Sequence, residues 1–328
     1  MKFSNLSKTV SKFTCAVTLL CSLGAHATDS IGSLKMGIEP WLGYGLWHVA
    51  SQDGLFKKQG FSKVDIVNFT EDKDINAALA SGQIDAANIA THTAMGMIAA
   101  GLPVKAVLLL DQSNTADAML VDSSIKSLKD LKGKRVAYEE GTTSDILLHS
   151  ALSSVNMSDK DIIAVPMPAS NAGSALITGN VPAAVTYEPY LTVAKKNLPN
   201  LNMLYSGASD PGLISDVLVV RQSVIDQHPE QVAALVQVWQ QSVAHYKAHP
   251  KHDRAVVSTA VGATPAELAT AFDGVKYIDL STNKTMLEGD FRTQTFPHIL
   301  KAAKEASLVP NTVTFNQVFD DSFVKKAK

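Results

Sequence analysis

Cysteine is nearly absent. Cys15 and Cys21 are the two in 328 residues, and both lie near the amino terminus. Beyond them, disulfides, cysteine metal ligands and thiol nucleophiles are excluded. Aromatic residues are sparse at 6%, and charged residues make up 18% against 46% hydrophobic. That balance excludes a disordered chain, and nothing in it is biased toward collagen or a coiled coil. A basic surplus is also missing, with 29 basic against 31 acidic residues, which argues against a nucleic-acid partner. No apolar run after the first 27 residues approaches the roughly 18 that a membrane helix needs. HExxH, CxxC, the P-loop, GxGxxG and GxSxG are all lacking, and the nine histidines read as scattered. No metal, cofactor or catalytic residue is therefore expected.

What is present begins with an address. Lys2, Lys8 and Lys12 form a positive start without an acid, and Phe13–Leu23 is a short apolar run. Ala25-His26-Ala27 has the small-x-small form of a cleavage site, so residues 1–27 read as a secretory signal peptide. Cleavage near Ala27 would leave a cysteine-free chain. Three of the 29 basic residues would leave with the leader, taking the net charge from −2 to −5.

Past the leader, short β-branched runs alternate with longer amphipathic ones, the pattern of an α/β fold. Strands are expected at Leu34–Ile38, Val64–Phe69, Ile84–Ile89 and Val104–Leu110. Helices are expected at Leu46–Gln59, Ile75–Ser81 and Thr93–Ala100. A second round follows Asn114: strands at Lys134–Tyr138, Ile162–Val165 and Ala183–Thr186, with helices at Ser127–Leu131, Thr143–Val155, Asn171–Thr178 and Glu188–Asn197. Leu213–Val220 reads as a strand returning to the first block. The remainder reads as helices at Pro229–Lys247, Asp253–Val261, Pro265–Phe272 and Lys284–Glu305. Two blocks of similar plan imply two lobes joined by two crossover strands, near Leu110–Asp122 and Gly207–Val220. The expected division is residues 28–114 plus 217–328 for lobe I and 115–216 for lobe II. Ligand sites in such sheets lie beyond the carboxyl ends of the strands and between lobes.

Three strand ends carry chemistry. In Gly37–Trp47, Gly43 and Gly45 permit close backbone approach, while Trp41 and Tyr44 offer rings for stacking or for lobe packing. Trp47 falls inside the following helix and reads as core. In Lys134–Asp145 a glycine turn opens a helix at Thr142 and Thr143, whose hydroxyls serve either as caps or as part of an anion site. In Thr186–Tyr190, Tyr187 and Glu188 precede Pro189, with Glu188 aimed outward or simply favoured by the helix dipole. His92 follows another strand end, as a solvated loop residue or a ligand contact.

These stretches resemble the periplasmic binding proteins of the nitrate/sulfonate/taurine-type ABC importers, a group that shares its two-lobed fold with pyrimidine-synthase-like, NMT1-like proteins. The similar segments are Gly43–Lys57 (GYGLWHVASQDGLFK), Ala77–Ala86 (AALASGQIDA), Ser127–Ala137 (SLKDLKGKRVA) and Ala183–Tyr190 (AAVTYEPY). The resemblance implies a type II-like, two-lobed periplasmic protein that closes on a small solute and presents it to an ABC permease in the inner membrane. It implies a monomer without enzymatic activity, and places Trp41, Tyr44, Thr91, Thr142, Thr143 and Glu188 at the cleft.

The sequence departs from the sulfonate-binding pattern in its charges. Glu140 stands where relatives often have lysine, and Asp145 where a histidine or neutral residue is common. Glu39, Asp111, Asp117, Glu188 and Asp216 all fall near strand ends or crossovers, and no lysine or arginine lies in the same loops. Uncompensated carboxylates repel anions and suit cations. The expected ligand is therefore a small amine-bearing solute: an aminosulfonate such as taurine, a guanidine, a quaternary amine or an aminopyrimidine. The alternatives are a sulfonate or nitrate binder, an enzyme on the same scaffold, and a receptor's sensing module. Pyrimidine-synthesising relatives need a cysteine-rich motif, which the mature chain lacks.

Overall fold

The computed structural model describes residues 30–328 together with Met1, so the proposed leader lies outside the described residues. Among the described residues eleven strands form two sheets. The first contains β1 (Ser33–Ile38), β2 (Lys63–Asn68), β3 (Ala86–Ala90), β4 (Val104–Ser113), β10 (Ser215–Arg221) and β11 (Val275–Tyr277), in the order β2-β1-β3-β10-β4-β11. The second contains β5 (Asp117–Val121), β6 (Arg135–Tyr138), β7 (Ile163–Pro166), β8 (Ala183–Tyr187) and β9 (Asn202–Ser206), in the order β7-β6-β8-β5-β9.

Both sheets follow one plan. Three parallel strands, β2-β1-β3 or β7-β6-β8, are followed by an antiparallel strand, β10 or β5. The chain passes between sheets twice, from β4 into β5 and from β9 into β10. This is the expected α/β architecture of two lobes and two crossovers. It turns the carboxyl ends of β1, β3, β6 and β8 toward the junction between the sheets, where ligand sites form in such folds.

The strand pattern explains where the core lies. β3 (AANIA), β5 (DAMLV) and β8 (AAVTY) are buried along their whole length, as central strands covered on both faces must be. Along β5 the alternation divides two packing layers: Met119 and Val121 join the main core, while Ala118 and Leu120 face a smaller cluster around Leu176 and Leu191. Trp47 is fully buried, as expected, with its ring centroid 5.0 Å from that of Trp239. Each indole N–H is satisfied, Trp47 donating to Asn88 Oδ1 at 2.7 Å and Trp239 to the Ile278 carbonyl at 2.9 Å.

Several elements differ from the sequence reading. The expected helix Leu46–Gln59 is two, Leu46–Gln52 and Leu55–Lys58, because Gly54 between them takes a left-handed φ of +67°. Residues 265–270 form turns rather than a helix, with only a 3-10 turn at Ala271–Gly274. The tail is not all helical, since Val275–Tyr277 adds an edge strand beside β4. The expected helix Lys284–Glu305 is instead Leu280–Glu288, a π-helical turn at Phe291–Thr295, and Phe296–Glu305, with the break at Gly289. Strands β5 and β9 were not anticipated. Glu188 precedes its helix, which starts at Tyr190. Among the described residues no helix is long and apolar enough to cross a membrane.

Candidate functional site

A narrow cavity, with about 20 Å³ of free volume, lies where the strand ends of the two sheets meet. From the first sheet and its loops come Glu39, Trp41, Tyr44, Asp72, Ala90 and Asp216. From the second come Asp117, Glu139, Thr142, Thr143 and Tyr187. That free volume is about what one water occupies, far below the roughly 300–1,000 Å³ of organic-ligand sites, so a solute enters only when the walls separate.

The loop after β1 is shaped by its glycines. Leu42–Tyr44 forms a 3-10 turn directly after Trp41. A side chain at Gly43 would collide with the Asp111 carboxylate and the Trp41 indole nitrogen, so glycine is what lets the turn lie against β4. Trp41 then donates its indole N–H to Asp111 Oδ1 at 3.3 Å. The Trp41 ring meets Tyr187, at the end of β8, edge to face with centroids 5.8 Å apart. Tyr190 stands at 5.3 Å from Tyr187 and extends the aromatic wall.

The rest of the lining is acidic. Glu39, Asp72, Asp117, Glu139 and Asp216 all face the cavity, and among the described residues no lysine or arginine does. Asp111 lies fully buried beside them, its Cα paired with that of Asp216 across β4 and β10. Burial raises both of these carboxyls well above the usual carboxylate range, and each faces the other's charge or proton. Asp111 Oδ2 and Asp216 Oδ1 are sealed from solvent without a hydrogen-bond partner. Burial likewise pushes Asp117 up to about 7, although hydrogen bonds with Ser113 and Thr143 oppose it. Glu139 rises to about 7 for the same reason, opposed by the Ala169 N–H that it accepts at 2.9 Å. Asp72 is raised to about 6, chiefly by burial, while a hydrogen bond with Glu39 pulls it back. Glu39 is raised strongly by burial and then by the charges of Asp72 and Glu139, and its Oε1 has no partner. Several carboxyls thus share one poorly solvated space without a cation to compensate them.

At the opposite wall the helix Thr143–Ser153 points its amino end at the cavity. Thr142 caps it, accepting the Ser144 N–H at 3.2 Å and donating its hydroxyl to the Glu139 carbonyl at 2.9 Å. The helix start is thereby tied to the backbone of an acid that lines the site.

The sequence-derived candidates are distributed as follows. Trp41, Tyr44, Thr142, Thr143, Tyr187 and Asp216 line the cavity, and Asp111 sits directly behind Trp41. Thr91 and His92 are buried at the start of the helix Thr91–Ala99 and do not line it. Thr91 donates to the Ser215 carbonyl at 2.6 Å, which fastens that helix to β10. His92 has its pKa lowered to about 4 by burial. Glu140 is exposed in the turn that follows β6 and lies outside the cavity, whereas Glu139 faces in. Glu188 is buried but turned back on its own helix, accepting the Thr192 N–H at 3.0 Å. Glu39 and Asp117 had signalled only through their charge. Asp72 and Glu139 were missed. Asp72 had one sequence signal, an acid opening a helix directly after a strand.

Comparison with known proteins agrees with this architecture. Residues 45–253 match the family model described as NMT1/THI5 like. The chain belongs to the NMT1/THI5-like family. It is 26% identical to the taurine-binding periplasmic protein of Escherichia coli, over 62% of this chain and 63% of that one. Among solved structures it resembles the periplasmic aliphatic sulphonate binding protein of Escherichia coli, with a TM-score of 0.73, 21% identity, and coverage of 88% of this chain and 92% of that one. The ligand-binding component of an ABC-type import system from Staphylococcus aureus superposes with a TM-score of 0.76 at 18% identity, covering 90% and 99%. As an NMT1/THI5-like protein the chain shares the two-lobed periplasmic binding protein fold of these neighbours. Its relatives of known role are mostly solute-binding proteins rather than enzymes.

Proposed function

We propose that this protein is a periplasmic solute-binding protein that captures a small organic cation, a primary amine or a guanidinium, and delivers it to an ABC permease. The carrying observation is the five-carboxylate lining of Glu39, Asp72, Asp117, Glu139 and Asp216, with no lysine or arginine among them. Once ionised, these acids would repel a sulfonate or nitrate at short range, whereas a cation would draw the burial-raised carboxyls into their ionised form. A cation with several N–H groups supplies both the missing charge and the missing donors. Its apolar parts would lie against Trp41 and Tyr44, whose ring faces also attract cations. Carboxylates need donors, so an amine or guanidinium fits better than a quaternary ammonium, which has none.

The helix start at Thr143 favours one narrower ligand, an aminosulfonate held with its amine at the acids and its sulfonate at the backbone N–H groups. The role as a monomeric binding protein exported to the periplasm rests on the family and on the leader-like residues 1–27. Titration calorimetry with alkylamines, guanidines, aminosulfonates, unsubstituted alkanesulfonates and nitrate tests the reading. Tightest binding by an amine or guanidine supports it. Tightest binding by nitrate or an unsubstituted alkanesulfonate overturns it.

A further inference from the structure

Away from the cavity, four side chains converge where three segments meet. Asp53 ends the helix Leu46–Gln52, His245 lies in the last turn of Pro229–Ala248, and His252 and Asp253 open the helix Pro250–Ala260. One potential ligand atom from each lies within 4.8 Å of the other three. The histidines are thus less scattered than the sequence reading held, since His245, His249 and His252 fall on successive turns around Pro250.

The chemistry of the cluster is that of a donor set. Asp253 is completely buried, and its two oxygens lie 3.0 and 2.9 Å from His245 Nδ1. His252 Nδ1 is 2.8 Å from Asp253 Oδ1. On the other side His245 Nε2 stands 3.4 Å from Asp53 Oδ2, an oxygen sealed from solvent that accepts no hydrogen bond. Neither carboxylate is paired with a lysine or arginine among the described residues. A tetrahedral ion with bonds of about 2.1 Å needs ligand atoms about 3.4 Å apart; His245, which faces Asp253 through Nδ1 and Asp53 through Nε2, would present one nitrogen to the ion while the carboxylates close on it. Two imidazoles with two carboxylates form a borderline nitrogen–oxygen set. It suits zinc and neighbouring divalent transition ions, whereas magnesium and calcium prefer oxygen alone.

We propose that Asp53, His245, His252 and Asp253 bind one divalent transition ion of the zinc class. The ion would tie the end of helix Leu46–Gln52 to the elbow between the two later helices. The start of that helix follows the Trp41–Tyr44 loop, so the ion would brace the base of one cavity wall. His252, whose side chain is 49% exposed, leaves an approach from solvent.

Calorimetric titration of the chelator-treated full chain with zinc chloride tests this. One equivalent should bind, magnesium chloride should give no heat at the same concentrations, and zinc should raise the thermal midpoint. His252→Asn and Asp53→Asn should each weaken zinc binding at least tenfold and abolish the midpoint shift. His252 is half exposed, so its replacement leaves the fold intact even if the loss of the partly buried Asp53 carboxylate does not. The acidic cavity is a rival location, which Asp117→Asn distinguishes: zinc binding should survive it. Absence of stoichiometric binding at millimolar zinc overturns the proposal. So does binding that is lost in Asp117→Asn but kept in His252→Asn and Asp53→Asn.

Discussion

Trp41 and Tyr187 meet edge to face at 5.8 Å, although one follows a strand of the first sheet and the other ends a strand of the second. The contact therefore spans the junction between lobes, and the same indole reaches back to the buried Asp111. Replacing Trp41 with alanine removes an aromatic pair worth about 0.5–1.5 kcal/mol beyond its area, together with the hydrogen bond to Asp111. Affinity for the amine or guanidine ligand should fall at least about tenfold, equivalent to 1.4 kcal/mol. Calorimetry measures this, and circular dichroism should show an unchanged fold. Unchanged affinity in Trp41→Ala would remove the loop after β1 from the binding site.

Glu139 and Glu140 provide a one-residue test of the cavity geometry. Glu139 faces the acidic space and Glu140 faces solvent. Glu139→Gln should weaken binding of a cationic ligand severalfold to a hundredfold, because it deletes one negative charge in a poorly solvated site. Glu140→Gln should leave affinity within about a factor of two. Equal effects in the two variants would mean that this turn is placed differently when ligand is bound.

The same pair shows what the sequence could and could not reveal. Alternating apolar runs disclosed both lobes, because central strands buried on two faces are continuous in sequence. The crossovers were legible because strand Leu213–Val220 had to return somewhere. Strand β5 was hidden within a crossover, and β9 (NMLYS) has only a partly buried pattern. Acid excess at strand ends was visible as composition, but facing is not. Whether residue 139 or 140 points inward depends on where β6 ends, and one residue reverses the answer. Asp72 joins the site only because β2 lies parallel to β1, a pairing that no local pattern announces.

Gly43 tests close packing beneath the site. A methyl group there would run into the Asp111 carboxylate and the Trp41 indole nitrogen. Both are buried, so the strain of Gly43→Ala should cost about 1–3 kcal/mol of stability, as overpacking commonly does. Chemical denaturation should register that loss, and calorimetry a parallel loss of affinity from the displaced Trp41. A variant with wild-type stability and affinity would show that the turn can move away from β4 without cost.

The pH dependence follows from the direction in which the cavity acids are shifted. Burial raises Asp72 to about 6 and Asp117 and Glu139 to about 7, all above their unfolded values. Between the unfolded pKa of about 4 and those raised values, the folded chain holds protons that the unfolded chain has released. These groups therefore make the ligand-free protein lose stability as pH rises from about 4 to about 7, with no further loss above that window. A cationic ligand requires the deprotonated acids, so its affinity should increase from pH 5 to pH 8. Binding near pH 6 should expel protons, seen as a dependence of calorimetric heat on the buffer's ionisation enthalpy. The stability change belongs to the ligand-free chain and the affinity change to the complex, so the two should oppose each other across the same pH range. If affinity instead falls from pH 5 to pH 8, the ligand is an anion or is held by protonated carboxyls, and the cation reading fails.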